Sequence, residues 1–280
     1  MKLYVVNNGT FKLDGGAMFG VVPKSIWNKN QIADKNNQVE WALRCLLIVD
    51  GSKKILIDTG IGNKQSDKFF SHYSLKGQTY IVDNLNDLGF QPEEITDVII
   101  THFHFDHSGG AVKVVDDKYL PTFPNAIYWT AEKQLDWALN PNAKEQASFL
   151  KENIQPLLDA GCLRFIQKGE SPFTNISFYW ADGHTESQLL PIIEYKGKKI
   201  AFVADLFPSV QHLSIPWVMS YDTRPLLTLK EKEEFLSKAV KEAIVFFFEH
   251  DADNECCTVY EENGRYKASK IFDFFHFNLL

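Results

Sequence analysis

Four short runs of almost uninterrupted apolar residues stand out along the chain, and polar residues follow each run closely. The runs comprise residues 98–100, 176–180, 200–204 and 244–248. They predict strands that are covered on both faces, since a strand with one face in water alternates apolar and polar positions. Strands of this kind occupy the interior of the sheets in layered α/β proteins.

Other short apolar segments predict further strands. Residues 3–6, 11–13 and 19–22 lie between turn residues. Two hairpins are predicted where strand-like segments flank an Asp-Gly or a glycine turn, residues 43–49 with 54–57 and residues 192–195 with 199–203. These turn residues favour hairpins because they adopt the positive φ angles that tight turns require.

Helical spacing of apolar residues, together with start and stop signals, predicts four helices. They cover residues 79–88, 130–139, 145–158 and 228–243. Gly89 ends the first helix, Thr130 caps the second and Pro156 limits the third. Thr228 and Glu231 form a capping-box pattern that opens the fourth.

The length of the chain allows a large core. It has 280 residues, of which 45% are hydrophobic, so either one large or two small domains would be stable. No internal repeat, low-complexity segment or linker-like stretch interrupts the sequence. We therefore predict a single domain over residues 1–280.

Charge and composition exclude several kinds of partner. The formal net charge is −7 and the basic residues form no arginine-rich run, which argues against nucleic acid because binding to it relies on clustered Lys and Arg. The N-terminal apolar stretch is too short for a secretory signal, and no later run approaches a membrane span. We expect a cytoplasmic protein with four reduced cysteines and no membrane attachment. The sequence leaves open whether it forms a homo-oligomer.

The segment 101–110 carries the strongest chemical signal. It contains the pattern H-x-H-x-D-H, formed by His102, His104, Asp106 and His107. In an extended segment the first three of these side chains lie on one side, because side chains alternate with a period of two. His107 breaks the alternation, so a turn is expected there. Histidine beside a carboxylate suits zinc, iron or nickel in a catalytic rather than an all-thiolate structural site.

Further candidate ligands follow the other three apolar runs. His184, Asp205 and His250 come shortly after residues 176–180, 200–204 and 244–248. Polar residues just past the carboxyl ends of interior strands meet at a common edge, where α/β proteins build their sites. The pattern therefore predicts one metal site collected from distant parts of the sequence.

These motifs resemble those of the metallo-β-lactamase superfamily, and they run in order along nearly the whole chain. The matching stretches are Asp58-Thr59-Gly60, H-x-H-x-D-H at residues 102–107, Asp182-Gly183-His184-Thr185, Ala204-Asp205 and Glu249-His250. The resemblance implies an α/β fold of the metallo-β-lactamase type, a four-layer αββα sandwich with two sheets between outer helices.

The resemblance also implies two divalent metal ions and a division of the ligands between them. His102, His104 and His184 match the first metal site, Asp106, His107 and His250 match the second, and Asp205 matches the carboxylate that bridges both ions. Asp58 matches a position that orients ligands through hydrogen bonds. Zinc is the expected metal, while iron and manganese stay open because histidine and carboxylate accept all of them.

Two such ions imply a hydrolase. Each lowers the pKa of bound water, so hydroxide is available at neutral pH to attack a carbonyl carbon or a phosphorus centre. Asp106 is the expected proton carrier between the attacking water and the leaving group. The chain resembles N-acyl-homoserine lactone lactonases and parathion-hydrolase-like relatives in particular, which implies a small neutral or partly apolar ester-type substrate, first of all a lactone.

Several alternatives stay open. They are hydrolysis of phosphotriesters, carboxylesters or thioesters, and a non-catalytic domain that the metal only stabilises. The lactonases that the chain resembles often carry a tyrosine three residues after the bridging aspartate, where this chain has Pro208. Either Tyr221 supplies the missing hydroxyl or the metal alone polarises the carbonyl. This departure favours the general-esterase or parathion-hydrolase-like alternative.

An apolar wall for the substrate is expected from the N-terminal loop. Met18 and Phe19 could point toward the mouth of the site with Trp27 nearby, and an acyl chain would favour such a wall. Tyr221 is expected on the opposite wall, and residues 69–73 form a candidate lid. Ordinary packing explains Met18 and Phe19 equally well, and it is the more common explanation for segments such as residues 69–73 and the one that contains Tyr221. The remaining histidines, His72, His212 and His276, are not expected among the metal ligands.

Overall fold

Residues 1–279 are described by a computed structural model in which the chain divides into two compact units. The first unit comprises Met1–Thr10 and Leu43–Glu170, and the second comprises Phe11–Ala42 and the chain from Ser171 onward. Among the described residues, no helix has the length and apolar composition that a membrane crossing requires. The single domain over residues 1–280 stays a prediction.

Fourteen strands and nine α-helices are distributed over the described residues 1–279. The strands are β1 (Lys2–Asp14), β2 (Gln38–Asp50), β3 (Lys53–Ile57), β4 (Asp97–Ile99), β5 (Val112–Val115), β6 (Lys118–Pro121), β7 (Ile127–Thr130), β8 (Leu163–Phe165), β9 (Ile176–Ala181), β10 (Gln188–Tyr195), β11 (Lys198–Phe202), β12 (Val245–Phe247), β13 (Cys256–Glu262) and β14 (Arg265–Phe272). The α-helices are α1 (Gly15–Phe19), α2 (Lys24–Trp27), α3 (Asp67–Ser71), α4 (Ile81–Asp87), α5 (Phe105–Ser108), α6 (Glu132–Leu139), α7 (Lys151–Asp159), α8 (Pro225–Glu242) and α9 (Phe274–Leu279).

Most strands belong to two six-stranded sheets. One sheet has the order β1-β2-β3-β4-β7-β8 and the other has the order β14-β13-β12-β11-β10-β9. β5 and β6 form a separate two-stranded hairpin.

The core of the first unit lies between its parallel strands and its helices. Leu56 on β3, Val98 on β4 and Tyr128 on β7 are fully buried together with Leu85 of α4 and Leu157 of α7. β3, β4, β7 and β8 pair in parallel, each with the next. Parallel neighbours end at the same edge of a sheet, so the residues that follow these strands lie near one another.

The core of the second unit is rich in aromatic rings. Phe246 of β12 lies 5.2 Å from Phe207 and 5.4 Å from Phe235 of α8, measured between ring centroids. Such tilted pairs stabilise a core beyond the apolar area that they bury. This cluster holds the long helix α8 against the second sheet.

The structure confirms the predicted strands and hairpins that carry the candidate ligands. All four apolar runs form strands, displaced by at most two residues from the predicted bounds. β2 pairs with β3 and β10 pairs with β11 in antiparallel register, as the two predicted hairpins require. The helix predicted over residues 79–88 is α4, and the four cysteines are free thiols as expected.

The strand predicted over residues 19–22 is wrong. Helix α1 ends at Phe19, and residues 20–22 form a turn. The helix begins after Asp14, whose carboxylate caps its first turn by accepting a hydrogen bond from the backbone N–H of Ala17 at 3.0 Å. The stretch before it is one continuous strand, β1, in place of two short ones.

Three helix starts also differ from the prediction. Thr130 ends β7 and does not cap α6, whose N-cap is Ala131. α7 begins at Lys151, not at residue 145, since Glu145 belongs to a turn in which its side chain faces His104. α8 begins at Pro225 without a capping box, because the Glu231 carboxylate binds backbone groups outside the helix.

Candidate functional site

The candidate ligands of the first unit follow two neighbouring parallel strands. β3 and β4 pair with Ile57 opposite Ile99, so both strands end at the same edge. Asp58 comes directly after β3, and the H-x-H-x-D-H segment follows β4. His104 is still extended, and α5 begins at the next residue. The chain therefore leaves the extended conformation two residues before the predicted turn at His107, and Asp106 lies in the helix and not in an extended segment.

Asp58 joins the two strand ends. Its carboxylate accepts hydrogen bonds from the backbone N–H of Thr101 at 2.8 Å and from the Thr101 hydroxyl at 2.7 Å. Its Oδ2 also lies 3.1 Å from Nδ1 of His107. All three residues are fully buried. A buried carboxylate on one ring nitrogen is the contact that orients a metal-ligating histidine.

The Thr101 hydroxyl determines the tautomer of His102. This hydroxyl has one proton, which it donates to Asp58, so Nδ1 of His102 must donate to the hydroxyl oxygen, 3.1 Å away. In a neutral ring the lone pair of His102 is then on Nε2. This atom lies 3.1 Å from Nδ1 of His104.

The other two polar side chains of the motif also have polar neighbours within the first unit. Nε2 of His104 lies 3.3 Å from Oε1 of the buried Glu145. Oδ2 of Asp106 lies 3.8 Å from Nε2 of His107. The four motif side chains therefore form one buried group in this unit, with exposed fractions of 8% or less.

The candidate ligands of the second unit also follow strands that share a direction. β10 is antiparallel to both β9 and β11, and β11 is parallel to β12. β9, β11 and β12 therefore run the same way and end at one edge. His184, Asp205 and His250 come after these three strands, in that order.

Asp205 lies between the two histidines of this unit. Its Oδ2 is 3.1 Å from Nε2 of His184, and its Oδ1 is 3.2 Å from Nε2 of His250. The preceding Ala204 has a φ of 41°, which costs a residue with a Cβ about 1–2 kcal/mol. Backbone strain of this kind clusters where a side chain must be aimed accurately.

The second ring nitrogen of each histidine in this unit meets a fixed oxygen atom. Nδ1 of His184 lies 2.9 Å from Oδ1 of Asp222, and Nδ1 of His250 donates to the carbonyl of Ala42 at 2.8 Å. Burial opposes a charge on His184, yet the carboxylates of Asp205 and Asp222 raise its pKa to about 10. These carboxylates thus stabilise positive charge at this position.

Gly183 and Glu231 explain the Asp-Gly-His-Thr sequence before His184. A Cβ on Gly183 would lie 2.5 Å from the backbone nitrogen of Thr228, so only glycine fits beside α8. The Glu231 carboxylate accepts hydrogen bonds from the backbone N–H groups of Asp182 at 2.7 Å and Gly183 at 3.0 Å. α8 therefore holds the loop that carries His184.

The donor atoms in each unit fit a divalent metal ion. Two ligand atoms about 2.0–2.1 Å from one tetrahedral zinc ion lie roughly 3.4 Å apart. The pairs His102–His104, His184–Asp205 and His250–Asp205 have separations of 3.1, 3.1 and 3.2 Å. In each histidine the opposite ring nitrogen is hydrogen-bonded, as in proteins whose histidines bind metal.

The predicted wall residues of the N-terminal loop are packed in the core of the second unit. Met18, Phe19 and Trp27 have exposed fractions of 2%, 0% and 1%. Phe19 stacks on Trp27 at 5.0 Å and on His212 at 5.1 Å between ring centroids. Tyr221 is half-buried. A role for these four residues in substrate binding stays a prediction.

The segment that was expected to form a lid is helical and packs on the motif. α3 and the residues after it bring Phe69 and Tyr73 to 5.3 Å and 4.9 Å from the ring of Phe105. Burial, and then the charge of Asp106, raise the pKa of Tyr73 to about 12. These rings form an apolar surface beside the motif in the first unit.

Three residues with direct contacts to candidate ligands were missed by the sequence analysis. They are Thr101, Glu145 and Asp222, which contact His102, His104 and His184. Thr101 was detectable, since its hydroxyl precedes the motif directly. Glu145 and Asp222 carry no local signal, because an isolated carboxylate in a polar turn resembles any solvated residue.

Comparison with known proteins gives one family match. Residues 44–250 match the model of the metallo-beta-lactamase superfamily. Among curated proteins, an N-acyl homoserine lactonase from a Bacillus species is 23% identical over 275 residues, which cover 93% of this chain and 98% of that protein. An N-acyl homoserine lactonase from Bacillus cereus matches with the same identity and coverage.

Solved structures resemble the chain over almost its whole length. A probable metal-dependent hydrolase from Staphylococcus aureus has a TM-score of 0.88 and 28% sequence identity, covering 97% of this chain and 96% of its own. The dizinc quorum-quenching lactonase AidC, solved in complex with a product, has a TM-score of 0.78 at 22% identity, covering 97% of this chain and 95% of its own. At that identity the second likeness concerns the fold alone.

Proposed function

The chain belongs to the metallo-beta-lactamase superfamily, and we propose that it is a dinuclear metal-dependent hydrolase that cleaves a small ester-type bond, first of all a lactone. The family match and the TM-score of 0.88 confirm the predicted α/β fold class of the metallo-β-lactamase type. The superfamily and the curated lactonase relatives make the protein a hydrolase. The number of metal ions, their identity and the substrate are the parts that we propose.

The proposed ligands are the histidine and aspartate side chains that the sequence motifs single out. One ion would be held by His102, His104 and His184, the other by Asp106, His107 and His250, and Asp205 would be a ligand of both. All seven belong to buried groups that could hold a metal ion. The observation that carries this proposal concerns the two ring nitrogens of each histidine. One nitrogen is hydrogen-bonded to a fixed partner, and the other nitrogen faces another candidate ligand.

The chain's own residues divide the chemistry between them. When bound, two such cations supply Lewis acidity, which lowers the pKa of a water molecule and polarises the substrate's oxygen. Asp106 receives the proton of the attacking water on its carboxylate and delivers it to the leaving oxygen. Asp58 orients His107, and the carboxylates of Asp205 and Asp222 offset the positive charge near the buried core.

A partly apolar substrate is supported by the surface beside the motif. Phe69, Tyr73 and Phe105 pack together there and suit an acyl chain better than a highly charged group. Several curated relatives are named N-acyl homoserine lactonases. In our proposal Tyr221 supplies the hydroxyl that Pro208 lacks. Met18, Phe19 and Trp27 are buried and support the apolar wall of the substrate site.

A second candidate function rests on Pro208. Without a tyrosine at that position, a substrate with a strongly polarised phosphoryl or activated ester group needs less help from the protein than a lactone. Phosphotriester, carboxylester or thioester hydrolysis is therefore the alternative. A domain that only gains stability from its metal is the third, and it predicts metal binding without turnover.

The proposal extends to metal identity, location and association. Zinc is proposed on the basis of the histidine-rich ligand set, with iron or manganese as alternatives. The free thiols of Cys45, Cys162, Cys256 and Cys257 fit a reducing compartment such as the cytoplasm. Association of the chain into a homo-oligomer stays a hypothesis.

Elemental analysis of freshly purified protein, combined with a substrate panel, tests the proposed function. The panel contains N-hexanoyl-L-homoserine lactone, phenyl acetate, a dialkyl nitrophenyl phosphate triester and a glutathione thioester. We expect two metal ions per chain and the highest kcat/KM for the lactone, with activity lost on chelation and regained on adding zinc. Preference for the triester or phenyl ester would select the second candidate function. No turnover of any member by fully loaded protein would select the metal-stabilised domain.

A matched pair of variants tests the proposed role of Asp106. Asp106→Asn keeps the size of the side chain but removes the proton acceptor, so turnover should fall at least 100-fold, a typical general acid–base contribution. Asp117→Asn changes an exposed aspartate in the β5–β6 turn and should leave turnover and metal content unchanged.

A further inference from the structure

The turn between α6 and α7 places a buried carboxylate against the metal-binding motif of the first unit. Glu145 has an exposed fraction of 3%. Its Oε1 lies 3.3 Å from Nε2 of His104, although 41 residues separate them in the sequence. A carboxylate is rarely buried unless it is paired and hydrogen-bonded, so this position requires an explanation.

The carboxylate is held in place by donors on its other oxygen. Oε2 of Glu145 accepts hydrogen bonds from Nε1 of Trp137 at 2.7 Å and from Nδ2 of Asn142 at 2.6 Å. The Asn142 side chain also accepts the backbone N–H of Glu145 at 3.1 Å. Both donors are neutral, so they orient the carboxylate without neutralising its charge.

The same turn touches the motif at two more points. The backbone N–H of Phe105 donates to the carbonyl of Ser148 at 2.9 Å. The ring of Phe149 lies 4.8 Å from the ring of His104, between centroids. The His104 ring is therefore held by Glu145 at one nitrogen and by Phe149 at one face, so it cannot rotate without moving the turn.

Glu145 also determines which nitrogen of His104 carries the proton. An ionised carboxylate only accepts hydrogen bonds, so Nε2 of His104 must be the donor in this contact. In the neutral ring the lone pair is then on Nδ1, the atom that lies 3.1 Å from Nε2 of His102. The Thr101 hydroxyl independently leaves the His102 lone pair on Nε2. The lone pairs on Nδ1 of His104 and Nε2 of His102 therefore face each other.

We propose that Glu145 is a positioning residue that holds His104 in the Nε2-protonated tautomer and so sets the metal affinity of the H-x-H pair. The consequence for metal affinity rests on the proposed function, whereas the tautomer does not. A carboxylate hydrogen-bonded to the second ring nitrogen also strengthens the bond between a histidine and a cation. The hydrogen bonds of Glu145 to Trp137 and Asn142 and its contact with His104 suit a residue that acts through another side chain.

Ring nitrogen NMR and metal titration test this role. In the wild-type protein without metal, ¹⁵N–¹H correlation of labelled histidines should show His104 protonated at Nε2. In Glu145→Gln the side-chain amide can donate as well as accept, so His104 should lose this single tautomer, and the zinc Kd from chelator competition should rise about 10- to 100-fold. Glu132→Gln, on the exposed start of α6, should change neither measurement.

A second variant covers the case in which Glu145→Gln fails to fold. Trp137→Phe removes one donor to Oε2 and leaves the carboxylate present, so it should weaken zinc binding in the same direction by a smaller factor. Protonation of His104 at Nδ1 in the wild type, or a Kd for both variants within twofold of the wild type, would overturn the proposal. If the wild-type protein bound no metal at all, the proposed function would fail, and the tautomer measurement would still decide the role of Glu145.

Discussion

Asp222 accepts a hydrogen bond from Nδ1 of His184 at 2.9 Å, across 38 residues of sequence. Nε2 of the same ring faces Asp205 at 3.1 Å. His184 therefore lies between two carboxylates, one that fixes the ring and one that shares its proposed role as a metal ligand. Both carboxylates stabilise positive charge on or beside the ring, which is the condition that a cation site requires.

Asp222→Asn should weaken metal binding while leaving the fold intact. The asparagine side chain keeps the size of the aspartate but loses its charge, so His184 becomes a weaker and less well oriented ligand. The expected rise in the zinc Kd is about 10- to 100-fold, measured by chelator competition. Asp253→Asn, on an exposed position, is the control. Equal affinities of the two variants would refute the orienting role of Asp222.

Asp205→Asn should lower metal occupancy and activity together. Both of its oxygens face histidine nitrogens within 3.2 Å, and an amide can offer only one oxygen to two cations. Elemental analysis and kcat/KM measured on the same preparation check this result. A fully loaded and fully active Asp205→Asn variant would contradict the bridging assignment.

His212 should make the protein sensitive to acid. Burial, and then the charge of Lys232, lower the pKa of His212 from its ordinary 6.5 to about 3. Between these values the unfolded chain binds a proton that the folded chain does not, so the free energy of unfolding rises with pH across this window and falls as the pH is lowered. The expected loss from this group is about 2–3 kcal/mol between pH 6.5 and pH 4.5.

Urea unfolding of metal-free protein at these two pH values measures the effect. His212→Gln keeps a donor for the carbonyl of Met18, which His212 contacts at 2.9 Å, but it does not titrate. The variant should therefore lose less stability on acidification than the wild type. His72→Gln, which changes an exposed histidine, should behave like the wild type. Identical pH profiles for His212→Gln and the wild type would show that another group is responsible.

Lys232 should stabilise the second unit through its ammonium group. Its Nζ donates to the backbone carbonyls of Ser214 at 2.9 Å, Ile215 at 3.1 Å and Trp217 at 2.6 Å. Burial lowers the pKa of Lys232 to about 7, so at pH 6 the amine carries three protons, one for each carbonyl. Lys232→Met removes all three donors, and we expect the free energy of unfolding at pH 6 to fall by about 2–3 kcal/mol.

The matched control is Lys230→Met on the exposed face of the same helix, where the side chain pairs with Glu234 at 3.8 Å. Such surface pairs contribute about 0–1 kcal/mol. Urea unfolding compares the two variants. If both variants lost the same free energy of unfolding, the three carbonyl contacts of Lys232 would stabilise the protein no more than the surface pair of Lys230.

Local sequence signals predicted the elements that carry the candidate site, and they failed where a side chain had a distant partner. The apolar runs that became β4, β9, β11 and β12 are strongly patterned, so their existence depends little on the rest of the chain. Thr228 and Glu231 formed an equally good capping box, yet Glu231 binds the backbone before His184. The Glu231 carboxylate does accept hydrogen bonds from backbone N–H groups, as a capping box requires, but these groups lie outside helix α8.

The packing of the N-terminal loop shows the same limit. Asp14 is an ordinary turn residue in sequence, but as an N-cap it starts α1 and carries Phe19 into the core. Amphipathic alternation could not separate a strand from a one-turn helix over so short a stretch. The position of Phe19 depends on neighbouring rings from distant parts of the sequence, among them those of Trp27 and His212.

By itself, the sequence determined which residue types could ligate metal and where they stand relative to strands, because short motifs and apolar runs act over a few residues. It determined the superfamily resemblance in the same way. Only the tertiary structure decided that Asp222 orients His184, that Glu145 faces His104, and that Lys232 binds three carbonyls. Those contacts join residues brought together by strand register and turn geometry, and a hydrogen bond forms only when both partners are placed to within a few tenths of an ångström.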